Sequence, residues 1–421
     1  NAGEFNYNDV VAYPFGYGLS YTSFKYEDFK VEYDSDKDIY TLSVKVTNNG
    51  GEKGKESVSF FLSKPYTQYD INYGIEKPAI EFVGYAKSKL LNDTQNVVLS
   101  CEVEGRELAS YDAYNKKTYI LEGGNYVFTA AKDSHEAVNN VIVAKGFDAN
   151  KIVTKGNSGA GNSSLAKIVK IDGDDFKSYS KSLNGTKIQN AFDTADNRIF
   201  EPGSVNETAF QWTTRSNWAD TVATKAVALK RTDKMDECYL ASQGADLKPD
   251  VEAKEKPTYG ADNGLQLIDL RAYSDEDDDP TNDEWVPFDD PLWDQFLDQL
   301  TWEESVELLS DGLRHTLGVE RLGKPETLEH NGGVGFKNYT ACQTGIRLAT
   351  SADLKNYRQK IINYPCNGIA ASTFNKDFMY KMGVQWGEDA LWTGHNVLYG
   401  PGNNIHRSAY NGRNFEYYSE D

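Results

Sequence analysis

Asn396-Val397-Leu398-Tyr399-Gly400-Pro401-Gly402-Asn403-Asn404-Ile405-His406-Arg407 is followed closely by Asn411-Gly412-Arg413-Asn414-Phe415-Glu416-Tyr417-Tyr418-Ser419-Glu420-Asp421, and together they form the densest run of polar and ring-contacting side chains in the chain. The first five residues read as a short strand, and the glycines and proline that follow break it into a loop. In a parallel barrel the loops after strand C-termini build the functional face, where Arg and Asn side chains converge on a hydroxylated ligand. Arg413 is the leading candidate, because a guanidinium offers five donors in a fixed fork; His406 and Arg407 lie in the same loop. An ion pair from Arg413 to Glu416 or Asp421 is the alternative reading, since such pairs are often structural.

Upstream of this run the pattern is helical. Asp290 can cap, Pro291 suits a first turn, and Trp293, Phe296, Leu297 and Leu300 recur at spacings that place them on one face. Thr301-Trp302-Glu303-Glu304 has capping-box form, with Val306 and Leu309 continuing an apolar stripe. Asn375 can cap a further helix in which Phe378, Met382, Trp386 and Ala390 fall four residues apart, ending at Gly394. Helices alternating with short buried strands predict the opening portion of an α/β domain, a barrel being the natural form.

The first third of the chain has a different period. Leu42, Val44 and Val46 alternate with Ser43, Lys45 and Thr47 before Asn48-Asn49-Gly50-Gly51, a turn able to take positive φ. Val58, Phe60 and Leu62 repeat the alternation, and Tyr126-Val127-Phe128-Thr129-Ala130 follows Gly123-Gly124. Residues 23–147 are therefore expected to form a β-sandwich with one face of each strand buried. Ahead of it, Tyr13-Pro14-Phe15-Gly16-Tyr17-Gly18-Leu19-Ser20-Tyr21-Thr22 cannot be a regular helix and reads as a packed loop. Residues 148–285 are polar, with Gly156-Asn157-Ser158-Gly159-Ala160-Gly161 near the start and Asp275-Glu276-Asp277-Asp278-Asp279 near the end. Because Phe192, Phe210, Trp212 and Trp218 lie within them, an ordered, wrapping connector is expected rather than a disordered linker.

Composition narrows the partners. A net charge of −20 over 421 residues repels phosphate backbones and anionic lipid, so neither nucleic acid nor membrane is expected as a partner. No apolar run approaches the roughly 20 residues that span a bilayer. Cys101, Cys238, Cys342 and Cys366 lie far apart and read as buried free thiols, while His395 and His406 lack a matching ligand spacing; no metal or cofactor is expected. The acidic run lacks the glycine and distal glutamate of an EF-hand loop and reads as a solvated face. Five N-x-S/T sequons, at Asn92, Asn162, Asn184, Asn206 and Asn338, match a pattern short enough to arise by chance.

These residues carry a resemblance to glycoside hydrolase family 3. Tyr13 to Thr22 is similar to that family's proline-phenylalanine-glycine-glycine-leucine-serine-tyrosine segment, which leads into a fibronectin-type-III-like module. Val46-Thr47-Asn48-Asn49-Gly50 and Gly54-Lys55-Glu56 resemble the module itself. Leu300-Thr301-Trp302-Glu303-Glu304 resembles the opening helix of its barrel, and Gly400 through Asp421 its glycine-proline-glycine, asparagine-isoleucine-histidine-arginine and glycine-arginine-asparagine-phenylalanine-glutamate string. The resemblance implies a multidomain α/β plus β chain, with a fibronectin-III-like β-sandwich followed by the opening part of a (β/α)8-type barrel. It divides the sequence into 1–22, the tail of an α/β sandwich domain; 23–147, the module; 148–285, the connector; and 286–421, the N-terminal part of the barrel. That order resembles the domain-inverted members and implies a chain cut at both ends.

The implied activity is that of a retaining, exo-acting β-glycosidase, a β-glucosidase first, acting on oligosaccharides or glycosides. A β-xylosidase-type activity and a non-catalytic carbohydrate-binding or structural fragment are the alternatives. Retaining enzymes use two carboxyl groups about 5–5.5 Å apart. The family's nucleophile belongs to an aspartate-tryptophan dipeptide and its sugar-binding lysine precedes a histidine; neither pair occurs here. The acid/base is expected in the α/β sandwich, so no catalytic carboxylate is assigned, Glu416, Glu420 and Asp421 included. The family's serine-aspartate-glycine-proline string aligns with His330-Asn331-Gly332-Gly333-Val334-Gly335. That places Asn331 at a sugar-binding aspartate and Lys337 at an arginine, with Glu329 as the alternative acceptor. The rest of the barrel and the sandwich domain are the implied protein partners, with a second copy of the chain left open.

Overall fold

A computed structural model describes residues 9, 11–154, 159–190, 230–242, 257–272, 284–311, 315–336, 363–393, 395–404 and 411–418. The chain divides after Leu247 into two compact units.

In the first unit, β1 (Phe24–Asp34), β2 (Ile39–Asn48), β3 (Ser57–Ser63), the short helix α1 (Gln68–Tyr73), β4 (Glu81–Lys87) and β5 (Asn96–Glu104) come first. They are followed by β6 (Ser110–Asp112), β7 (Thr118–Ile120), β8 (Gly124–Ala131), α2 (Ser134–Ala144) and β9 (Ala166–Ile171), and the unit also holds α3 (Asp233–Ser242). The strands make two antiparallel sheets, β1-β2-β5 and β4-β3-β8-β9, beside a β6-β7 pair. Period-2 alternation buries Tyr40, Leu42, Val44 and Val46 from β2 against Phe60, Leu62, Tyr126 and Phe128 from the facing sheet. Gly51 takes φ 89°, as the Asn-Asn-Gly-Gly turn requires.

The expectation of one buried face per strand is corrected at β3 and β8. Phe61 and Val127, which point away from the shared core, are also buried, because α2 and the Phe15 loop cover the outer face of that sheet. Phe15 meets Phe82 edge-on at 5.3 Å between ring centroids, whereas Leu19 and Tyr21 in the same loop are exposed. The sheet also runs past the expected end at residue 147, since β9 pairs with β8 from Gly124↔Ile171 to Thr129↔Ala166. Beyond β9 the chain stays in contact with this unit. Leu121 and Asp175 exchange backbone hydrogen bonds of 2.9 and 2.7 Å, Phe176 stacks on Tyr69 at 5.5 Å, and Tyr179 Oη donates to Asp38 at 2.8 Å. Phe192, Phe210, Trp212, Trp218 and the acidic run at 275–279 fall outside the described residues. Cys101 and Cys366 are half-buried and outside any disulfide, Cys238 is exposed rather than buried, and Cys342 is not among the described residues.

At one end of this unit three ionisable groups are buried together. Lys77 Nζ donates to Asp70 Oδ2 at 2.8 Å, to the Pro65 carbonyl at 3.0 Å and to Glu122 Oε2. Thr67 caps α1 through its Oγ1, which accepts from the amides of Tyr69 and Asp70 and donates to Glu122 Oε1. Asp70 and Glu122 are 0% and 2% exposed, and Asp70 Oδ1 has no hydrogen-bond partner among the described residues. One ammonium thus serves two buried carboxylates. Burial first, and then the Asp70 carboxylate, push the Glu122 carboxyl upward against the opposing pull of Lys77 and Thr67.

The second unit holds β10 (Arg271–Ala272), β11 (Glu284–Trp285), α4 (Pro291–Leu297), α5 (Trp302–Ser310), β12 (His315–Thr316), β13 (Thr327–Asn331), α6 (Asn367–Ala371), α7 (Lys376–Thr393) and β14 (Val397–Tyr399). The helix starts match the capping residues. Asp290 accepts from the Leu292 amide at 2.9 Å, Thr301 and Glu304 complete a reciprocal capping box, and Asn375 accepts from the Phe378 amide at 3.1 Å. The stripe on α5 is rotated from expectation. Val306 and Leu309 are exposed and Leu308 packs inward, because Glu304, one turn earlier on that face, is held by Arg321. On α7, Met382 and Trp386 are buried while Phe378 faces out. β13 pairs antiparallel with β12 and parallel with β14.

Two outcomes are expected for the buried ion cluster. Lys77→Met leaves two buried carboxylates facing each other and costs about 3–5 kcal/mol in urea unfolding. A carboxyl with a raised folded pKa stabilises at acid pH, and that contribution is lost as the pH rises through the folded value. Relative to wild type, Glu122→Gln therefore gains urea midpoint as the pH rises from about 4.3, the unfolded carboxyl value. Parallel pH profiles would remove Glu122 as the source.

Candidate functional site

Parallel register sets Glu329 beside Val397, His330 beside Leu398 and Asn331 beside Tyr399, so both strands end at the same level. Gly332-Gly333 follows one and Gly400-Pro401-Gly402 the other. Side chains are excluded at two of these positions. A Cβ on Gly332 would lie 2.5 Å from Leu398 Cδ1; one on Gly402 would lie 2.5 Å from the Tyr417 ring and 2.9 Å from the Glu416 carbonyl oxygen. The 411–418 segment packs against the end of β14 through that second contact, and the Tyr418 amide donates to the Gly402 carbonyl at 2.9 Å.

Arg413 sits in this segment with its amide donating to Asn411 Oδ1 at 2.9 Å. Its side chain is exposed, its Nε donates to the Glu416 carboxylate, and its guanidinium lies 5.9 Å from the Tyr417 ring centre. The ion pair to Glu416 left open by the sequence is therefore formed, and the carboxylate raises the already high Arg413 pKa. The terminal nitrogens of the fork are not used by that pair, so Glu416 orients the guanidinium without consuming it. Asn331, the last residue of β13, is exposed. Glu329, the alternative acceptor two residues earlier, accepts a hydrogen bond from Tyr399 Oη across the strands. Lys337, His406 and Arg407 lie outside the described residues, as do Glu420 and Asp421.

Beneath these loops is a small core of Ala370, Met382 and Trp386, with Tyr364, Leu398 and Tyr418 packed against it. Tyr364 donates from its amide to Val334 and from its hydroxyl to Asp389 at 2.7 Å; burial first, and then Asp389, push its phenol up to about 12. Asn367, which sequence reasoning missed, is 1% exposed and donates from Nδ2 to the Glu416 carbonyl at 2.7 Å. Asn367 opens α6, and an Asn-Gly pair, common in turns, carries no sequence signal of a buried amide. Among the described residues no group of three or more His, Cys, Asp or Glu is placed to hold a metal ion.

An amide thus ends one parallel strand, and a guanidinium sits in the segment packed on the end of the other. No family model matches the chain. The β-glucosidase A of Butyrivibrio fibrisolvens is 30% identical over 449 residues, which cover 98% of this chain and 44% of the relative. A β-glucosidase of Ruminococcus albus is 26% identical over 424 residues, covering 98% of this chain and 35% of the relative. A solved structure of a β-glucosidase from Paenibacillus barengoltzii superposes with a TM-score of 0.53 over 98% of this chain and 38% of that one; at 22% identity this likeness shows the fold alone. The chain is thus β-glucosidase-like, of the glycoside hydrolase family 3 kind. It spans less than half the length of the curated relatives it matches.

The close approach at Gly402 predicts a contrast between two glycines. Gly402→Ala displaces the 416–418 backbone and costs about 1–3 kcal/mol in denaturant unfolding. At Gly412, where a Cβ meets nothing within 4 Å, alanine changes stability by less than about 0.5 kcal/mol.

Proposed function

We propose that the chain is part of a retaining, exo-acting β-glucosidase that releases terminal β-D-glucose from oligosaccharides or glycosides, and that it supplies part of the sugar-holding subsite. The observation that carries this reading is the 30% identity with the Butyrivibrio β-glucosidase along 98% of the chain. On this reading the two-sheet unit is a fibronectin-III-like module that takes in β9 as well as residues 23–147. Residues 286–421 are the opening part of a (β/α)8 barrel, completed by the rest of the barrel and by an α/β sandwich domain. The catalytic carboxylates lie outside this segment.

The role of the segment is binding. Arg413, oriented by Glu416, presents the terminal nitrogens of its fork to neighbouring hydroxyls of the sugar, and Asn331 both donates and accepts at another. Lys337, His406 and Arg407 are further sugar-contacting candidates of the same subsite. Hydrogen bonds to ring hydroxyls that strengthen as the oxocarbenium-like transition state forms contribute to rate as well as to affinity. A neutral amide at Asn331 makes weaker bonds than a carboxylate would, so catalytic affinity leans more heavily on Arg413.

In the intact polypeptide that carries this chain, Arg413→Ala is expected to lower kcat/KM on an aryl β-glucoside by roughly 30-fold, about 2 kcal/mol of transition-state stabilisation. A change of less than threefold removes Arg413 from the site. Turnover of an aryl β-xyloside in preference to the glucoside replaces glucose by xylose, and failure to hydrolyse any aryl glycoside overturns the enzymatic reading.

A further inference from the structure

We propose that Asn367 is a positioning residue of the sugar subsite, fixing the Arg413 turn against the glycine turn at the end of β13; this rests on the glycosidase reading above. Its Nδ2 holds the Glu416 carbonyl at 2.7 Å, and the carboxylate of that same Glu416 takes the Nε–H of Arg413. The Glu416 amide donates back to the Arg413 carbonyl at 3.1 Å, so the residues from 413 to 416 form one closed turn whose orientation passes to the guanidinium. On its other side the Asn367 amide borders the space beside Gly333, where a Cβ on that glycine would stand 3.5 Å from Nδ2 and 3.9 Å from Oδ1. One side chain therefore holds the turn that carries Arg413 and borders the loop after β13, which follows Asn331.

Asn367 Oδ1 is buried and has no hydrogen-bond partner among the described residues. The packing of α6 rests on Ala370, which is fully buried, and does not call for an amide at its first position. What the amide adds is its hold on the Glu416 carbonyl, without which the 413–416 turn is anchored only through its neighbours.

The test is a double-mutant cycle in the intact polypeptide, reading the inhibition constant for D-glucose, KM and kcat on an aryl β-glucoside, and Tm. Asn367→Ala should raise the glucose inhibition constant and KM by about fivefold or more, and add less than about twofold once Arg413→Ala is present. Asn367→Ser, which leaves a smaller cavity, supplies the same comparison if the alanine variant does not fold. If Arg413→Ala weakens glucose binding but the Asn367 variants leave it unchanged, or multiply fully with Arg413→Ala, the positioning role is overturned and the subsite stands. If Arg413→Ala leaves glucose binding unchanged, the subsite assignment falls and the positioning role falls with it.

Discussion

Parallel strands cannot be joined by a tight turn, and the pairing of Thr327–Asn331 with Val397–Tyr399 therefore obliges the chain between them to travel back along the strands before the second begins. α6 and α7 belong to that return, and their apolar side chains, Ala370, Met382 and Trp386, pack with Leu398 of the second strand. Because both strands run the same way, their C-terminal ends emerge together, and the loops that follow converge. Glycines at 332 and 402 then let those loops approach a leucine side chain and a tyrosine ring more closely than any Cβ allows.

The first unit solves a different problem. Its inner core is ordinary two-sheet packing, but β3 and β8 are buried on both faces under α2 and the Phe15 loop, so the unit has three layers where the alternation alone implies two. The buried Lys77–Asp70–Glu122 cluster ties the α1 connection to the residues just before β8. Such a cluster adds little net stability when intact and is expensive to break, so it fixes geometry more than it stabilises.

Signals that act over three or four residues were legible in the sequence. Asp290, Thr301 with Glu304, and Asn375 each cap the helix their position predicts, because capping depends on a side chain and amides close to it in the chain. The alternation in β2 likewise reports its buried face directly. What escaped depends on distant partners. The covering of β3 requires α2, the pairing of β9 requires β8, and the phase of α5 is set by Arg321, seventeen positions beyond Glu304. At the site, Arg413 stood out by its chemistry, yet its choice of Glu416 became visible only in the turn geometry. Asn367 was hidden because Asn-Gly has the composition of a turn, while its burial comes from the 414–418 segment far along the chain.

On the function proposed above, the loops after two parallel strands, locked together by Gly402, Asn367 and the Arg413–Glu416 turn, hold a sugar ring. Hydrogen exchange of the intact polypeptide with and without saturating D-glucose tests this most directly, since amides in ordered loops exchange more slowly when a ligand holds them. Bound glucose is expected to slow exchange in residues 332–336, 400–404 and 411–418, with β2 and β3 unchanged. Glucose that leaves all three segments unaltered, or that protects only the two-sheet unit, would contradict it.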